Sequence, residues 1–318
     1  MEKIGDKDKN KADIDVSIVI PARNEGETIG RCLDAVCQQD TFYNVEIIVI
    51  DSGSTDNTPD VVKFYPLIKL IQIKPEAFGH GKTRNMGADM AAGHYIVFLN
   101  ADAIPVNTHW LNALIDPLKE NKDVAGVFSR HIPKKGCYLY MVRDLQNSMP
   151  EKRMVRTGTN TGKLDFMLFS TVSAAIRRDV WQQYPFDRDI IIAEDQAWAG
   201  KVLNKGFKIL YEPASMVYHS HNYTPRQLME NKRKIAQASG RFKNRINALF
   251  LGFLLMTGGI VVKITGDIFF ILFKQSERLS FTQKVREIKM SLIARFASFW
   301  GRYNGWLKIK KRMNKYPE

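Results

Sequence analysis

Val16–Glu25, VSIVIPARNE, and Val45–Thr58, VEIIVIDSGSTDNT, decide the fold. Within them two β-branched runs, Ser17 to Ile20 and Ile47 to Ile50, are too apolar for surface strands and too short for helices, so they read as buried parallel strands. Each runs into a polar loop. In an open α/β sheet the ligand crevice lies at the carboxyl ends of the strands. Those ends carry Arg23, Asn24 and Glu25 in one case and Asp51, Ser52, Ser54 and Asp56 in the other, and a nucleotide is expected there.

Working outward, Ile29, Leu33 and Val36 recur at helical spacing between the two strands, and Pro59 opens a second helix carrying Val61 and Val62. A third strand is expected over Ile68–Ile73, then the helix of GHGKTRNMGADMAAG, then a fourth strand over Tyr95–Leu99 that runs into NADAIP. Strands alternating with helices predict an α/β fold with a mostly parallel sheet. Further on, the pattern predicts a helix over Trp110–Lys119 and strands over Ala125–Arg130 and Phe169–Ile176. IIAEDQAWAGKVLNKGFKILYEP reads as a loop opening into a helix and returning through Gly206 to a strand. Lys134–Lys163 is polar and irregular, a stretch assigned to acceptor recognition.

The chain divides into a charged tail (1–13), an α/β domain (14–240) and a basic, partly apolar helical region (241–318). Its 318 residues, 45% of them hydrophobic, suffice for a large core. Cys32, Cys37 and Cys137 have neither disulfide-framework nor zinc spacing, which fits a reducing compartment. MEKIGDKDKNKAD contains no apolar stretch of the kind a secretory signal needs, so a cytoplasmic location is expected. Of the net charge of +14, twelve units fall from Arg241 onward, where sixteen Lys and Arg face four Asp and Glu. A nucleic-acid binder would carry that charge on the folded body beside stacking aromatics, so no nucleic-acid partner is expected.

VSIVIPARNE, IIVIDSGSTDNT, GKTRNMGA, VFLNADAIP and AEDQAW, in this order, resemble family 2 glycosyltransferases of the GT-A fold over roughly residues 14–223. That resemblance implies an inverting, Rossmann-like enzyme that uses a nucleotide-diphosphate sugar. Asp51 and Asp56 would then contact the base and ribose, with Pro21, Ala22 and Glu25 lining the base pocket; Asp56 reads equally well as an N-cap in DNTP. NADAIP occupies the place of the family's DXD motif, whose carboxylates hold a divalent cation, Mg²⁺ or Mn²⁺, against the diphosphate. Here Asn100 replaces the first carboxylate, Ala101 follows, and Asp102 alone is acidic. VYHSHNYT offers His219 and His221 to complete the shell, and imidazole suits Mn²⁺ better than Mg²⁺. In the ED motif Asp195 is expected to be the catalytic base; Glu194 is the alternative base or a cap for the following helix.

FGHGKTRNMGA is similar to bacterial rhamnosyltransferases, which implies dTDP-L-rhamnose as donor and a saccharide or lipid-linked acceptor in surface polysaccharide synthesis. Lys82 and Arg84 would pair with the diphosphate, Gly81 would permit close backbone approach, and Asn85 would orient Asp102 or the sugar. A UDP-hexose enzyme, or a membrane-peripheral binder that has lost catalysis, are the alternatives. In the tail, ALFLGFLLMTGGIVV (248–262) and IFFILF are interrupted by Lys263 and Asp267. A helical hairpin or in-plane element on the inner leaflet is expected, with basic residues on both sides attracting anionic lipid.

Overall fold

The computed structural model describes residues 14–160, 169–239 and 249–315; the 1–13 tail and Arg241, Lys243 and Arg245 lie outside them. Parallel pairing joins β1 (Val16–Ala22) to β2 (Val45–Asp51) residue by residue, from Val16 opposite Val45 to Ala22 opposite Asp51. β3 (Ile68–Gln72) and β4 (Tyr95–Leu99) extend the parallel set on either side. Helices α1 (Ile29–Cys37), α2 (Thr58–Lys63) and α3 (His80–Met90) make the crossovers.

Both faces of this sheet are covered, which is why its strands are apolar at consecutive positions. Val16, Ile18 and Ile20 pack with α1 and with α4 (Trp110–Glu120), whereas Val19, Ile48 and Ile50 pack with Ala88, Trp181 and Trp198. Each such fully buried aliphatic side chain contributes about 1.5–3 kcal/mol.

The second half of the sheet departs from parallel order. β5 (Ile104–Pro105), β6 (Val124–Ile132), β7 (Met154–Arg156), β8 (Ser173–Arg177) and β9 (Lys208–Tyr218) give the order β3–β2–β1–β4–β8–β6–β9–β5, with β7 on β9. β8 is antiparallel to both β4 and β6, while β6 and β9 are parallel to each other. The carboxyl ends of β1, β2, β4, β6 and β9 and the start of β8 therefore meet at one edge. The strand expected over Phe169–Ile176 begins only at Ser173. Phe169 turns into the core against Trp198, and the Thr171 amide is used elsewhere, as described below.

Lys134–Lys163 is more ordered than its composition indicated. It contains α5 (Leu139–Ser148) and β7, its last three residues lying outside the described ones. α5 forms because distant residues hold it: Arg143 bonds Asp267, Asp144 pairs with Arg295, and the Leu139 amide donates to Glu287. α6 (Arg178–Gln183) and α7 (Glu194–Asn204) complete the second face, and α8 (Pro225–Ser239) follows β9.

The tail forms α9 (Leu249–Phe269), a π turn (Phe270–Lys274) and α10 (Phe281–Lys315). α10 crosses α8 so closely that a Cβ on Gly301 would lie 2.2 Å from the Met229 carbonyl oxygen. Among the described residues no helix is long and apolar enough to cross a membrane. Asp267, which interrupts the apolar run, is fully buried and satisfied by Arg295, Arg143 and Ser291. It ties α9 and α10 to α5.

Candidate active site

At the β1 and β2 ends the two loops are stitched together. Asn24, in the left-handed region at φ 54°, accepts the Thr55 amide on its side chain and donates its own amide to the Ser54 hydroxyl, each at 2.8 Å. Asp51 is buried and accepts from the Ser54 amide and hydroxyl. Ser52 is also buried, its hydroxyl oxygen without a partner among the described residues. Asp56 bonds the Gly26 and Thr58 amides at 3.0 Å each, and its acidity is strengthened chiefly by the Thr58 hydroxyl. It thus caps α2 from one residue farther back and clamps the two loops. Glu25 accepts from Thr28 and is raised above the usual carboxylate range by burial, while Arg23 stays exposed.

Where β4, β6 and β9 end, Asp102, His219 and His221 converge. The imidazole Nε2 atoms lie 3.6 Å (His219) and 3.7 Å (His221) from the Asp102 oxygens and 3.1 Å from each other. The histidines follow β9 rather than sitting on it, yet both face the carboxylate. One carboxylate and two imidazoles whose donor atoms lie within 4.8 Å of one another fit a divalent cation of the Mn²⁺ type. Burial lowers His219 to about 4 and also lowers His221, so near neutral pH both offer lone pairs. Burial tends to raise Asp102, but His219, Lys134 and His221 outweigh it and hold the carboxylate below its usual range. With the imidazoles neutral, the cation left beside it is Lys134, Nζ at 3.3 Å.

A third cluster centres on Arg84 of α3. Its guanidinium donates to Glu194 at 2.7 Å and to the Asn100 side-chain oxygen at 3.1 Å, with Arg84 and Glu194 both buried. One side chain thus joins the N-A-D loop to the start of α7. Asp195, next to Glu194, accepts from the Thr171 amide at 3.3 Å and the Gln196 amide at 2.8 Å. Its surroundings raise it to about 6, by burial first and Glu194 second, against the opposing pull of Arg84. Ala193, the residue before Glu194, has φ 68°, a strained left-handed conformation for a residue with a Cβ.

Several expected residues serve different ends. Asn85 is turned away from Asp102: its amide donates to the Phe186 carbonyl at 2.8 Å, and its oxygen accepts from Trp181 and the Phe186 amide. It anchors the loop before α7. Gly81 is bare because a Cβ there would lie 2.4 Å from the Asp187 carbonyl oxygen, so its close approach is to that loop. Arg84 is committed to Glu194 and Asn100, and Lys82, exposed in the first turn of α3, has no ion pair among the described residues. Glu194 stands in the first turn of α7, after Ala193 at the N-cap, and its carboxylate accepts from Arg84. Ala101 is buried between Asn100 and Asp102. Sequence reading missed Lys134, which belongs to no motif, and His80, which burial lowers to about 4 within the influence of Arg84 and Asp195.

Residues 17–184 match the sequence model of Glycosyl transferase family 2. The O-antigen chain rhamnosyltransferase RfbN of Salmonella typhimurium is 34% identical over 220 residues, 67% of this chain and 68% of that one. WbaN of Salmonella anatum, also an O-antigen chain rhamnosyltransferase, is 31% identical over 215 residues, 66% and 68% of the two chains. Among solved structures, the mannosyltransferase PcManGT of Pyrobaculum calidifontis, in complex with GDP-Man and Mn²⁺, superposes with a TM-score of 0.57 at 18% identity, over 95% of this chain and 87% of that one. S. aureus TarS 1-349 with UDP-GlcNAc gives 0.55 at 17% identity, over 94% and 92%. The fold is GT-A-like, and the chain, a glycosyltransferase, belongs to Glycosyl transferase family 2.

Proposed function

We propose that this enzyme is an inverting, cation-dependent transferase that moves L-rhamnose from dTDP-L-rhamnose onto a saccharide or lipid-linked acceptor of a bacterial surface polysaccharide. The observation that carries the reading is the Arg84 bridge, which holds the Asn100–Asp102 loop and the Glu194–Asp195 turn on one guanidinium. The choice of sugar is supported by the two rhamnosyltransferase relatives.

In this reading the nucleotide lies over the β1 and β2 ends, near Asp51, Glu25 and the backbone of Pro21 and Ala22. Asp102, His219 and His221 would hold the cation, which supplies positive charge against the departing diphosphate. Asp195 takes the proton of the acceptor hydroxyl as its oxygen attacks the anomeric carbon. The new C–O bond forms as the bond to the diphosphate breaks on the opposite face, so configuration inverts and dTDP leaves. A carboxylate raised to about 6 is a stronger base than an ordinary one and is still ionised at neutral pH.

The turn between α9 and α10 supports a membrane partner on the inner leaflet. Phe269 and Phe273 stack at 4.8 Å and are both exposed, as are Phe281 and Val285 across the turn, with Lys274, Arg278 and Arg286 between and beside them. Exposed apolar side chains with more basic than acidic neighbours along the turn suit an anionic bilayer surface, where a lipid-linked acceptor resides.

The test is release of nucleoside diphosphate from dTDP-L-rhamnose, UDP-glucose, UDP-galactose and GDP-mannose, with and without Mn²⁺. Mn²⁺-dependent release from dTDP-L-rhamnose is expected. Release from a UDP-sugar alone would overturn the donor, and no release from any would favour the inactive-binder alternative. Sedimentation with anionic but not neutral vesicles, lost in a Phe273→Ser, Phe281→Ser double variant, checks the membrane partner.

A further inference from the structure

Lys134 sits two residues beyond β6, and its backbone is pinned to the histidine segment. Its amide donates to the Ser220 hydroxyl, between His219 and His221, at 2.9 Å. The His219 amide donates to the Ile132 carbonyl at 2.9 Å, and Asn222 bonds both the Gly136 carbonyl and the Tyr138 amide. The start of the side chain is therefore fixed, whereas its ammonium ends a flexible four-carbon stem that is 30% exposed. That ammonium lies 3.3 Å from Asp102 Oδ2, the oxygen that also faces His221. A divalent ion and an ammonium cannot share one carboxylate oxygen at contact distance without strong repulsion.

We propose that Lys134 is a diphosphate-binding residue that rests on Asp102 until the cation and donor arrive. Its ammonium stands in for the ion in the free enzyme, keeping the Asp102 carboxylate paired. With Asp102 engaged by the cation, Lys134 would be released to pair with the donor's diphosphate oxygens and add a second positive charge against the leaving group. This rests on the cation-dependent reading above and adds to it a residue outside the family's motifs.

A purely structural Lys134 and a mobile one differ in sign. Mn²⁺ binding to the full-length chain without nucleotide would be followed by electron paramagnetic resonance, and dTDP and UDP binding at saturating Mn²⁺ by calorimetry. Lys134→Met is expected to bind Mn²⁺ about tenfold more tightly, its competitor gone, and the preferred nucleoside diphosphate about tenfold more weakly. Lys134→Arg, which keeps the charge, should retain most of the nucleotide affinity and gain none for Mn²⁺. Unchanged or weaker Mn²⁺ binding in Lys134→Met, or unchanged nucleotide binding, overturns the inference. Asp102→Asn separates the two levels. If wild type binds no Mn²⁺, or Asp102→Asn binds it equally well, the cation site itself fails and Lys134's role with it. If Asp102→Asn loses Mn²⁺ while Lys134→Met behaves as wild type, only the role of Lys134 fails.

Discussion

Arg84 and Glu194, 110 residues apart in sequence, form a buried ion pair at 2.7 Å, and the residue after Glu194 is the proposed base. The pair couples the stability of the site to the acidity of Asp195, because Glu194 pushes that carboxylate up and Arg84 pulls it down.

Removing either partner leaves an uncompensated buried charge and is expected to cost about 3–5 kcal/mol of stability. The two substitutions should nonetheless move the pH profile in opposite directions. Glu194→Gln lowers the acidic limb of kcat/KM from about 6, and Arg84→Met raises it. Profiles that stay superimposed would detach the pair from the base.

Asp195→Asn should reduce kcat by about 10²–10⁴-fold while leaving donor affinity near wild type, read by turnover and calorimetry on the same preparation. The pH dependence of stability gives an independent check. Because folding raises Asp195 to about 6, its contribution to stability is complete below the ordinary carboxylate range and disappears as pH rises through about 6. Wild type should therefore lose more stability than Asp195→Asn between pH 4 and pH 7, measured by denaturant midpoints.

Asp267→Ala is expected to destabilise the chain by about 3 kcal/mol or more, since Arg295 and Arg143 both lose their shared buried partner. Ser291→Ala removes one hydrogen bond to the same carboxylate and should cost only about 1–2 kcal/mol. Equal effects in urea titrations would contradict the role given to Asp267 in fastening α9 and α10 to α5.

Gly81→Ala places a methyl group against the Asp187 carbonyl and must separate α3 from the loop before α7. A loss of about 1–3 kcal/mol is expected, with a fall in kcat as Asn85 loosens its hold on Phe186. A variant as stable and active as wild type would show that this contact is dispensable.

The parallel half of the fold was legible because β1, β2 and β4 are apolar on both faces and end in loops of small and acidic residues. The strand β8 was legible too, but not its start, because Phe169–Val172 has strand-like composition while the Thr171 amide bonds Asp195. α5 was hidden for a related reason: its partners, Asp267, Glu287 and Arg295, are more than a hundred residues away. At the site, motif order put Asp102, the two histidines and Asp195 on one edge of the sheet. What each side chain touches was beyond it, since Asn85, Gly81 and Arg84 contact protein groups that only the tertiary fold brings near. Lys134 had no local signal at all; its position follows from β6 running beside β9.

The cation site is tested most directly by the thermal midpoint with dTDP-L-rhamnose, in Mn²⁺ and in EDTA, for wild type and for a His219→Ala, His221→Ala double variant. Wild type is expected to be stabilised only in Mn²⁺, and the double variant not at all. An equal shift in EDTA, or an equal Mn²⁺-dependent shift in the double variant, would contradict it.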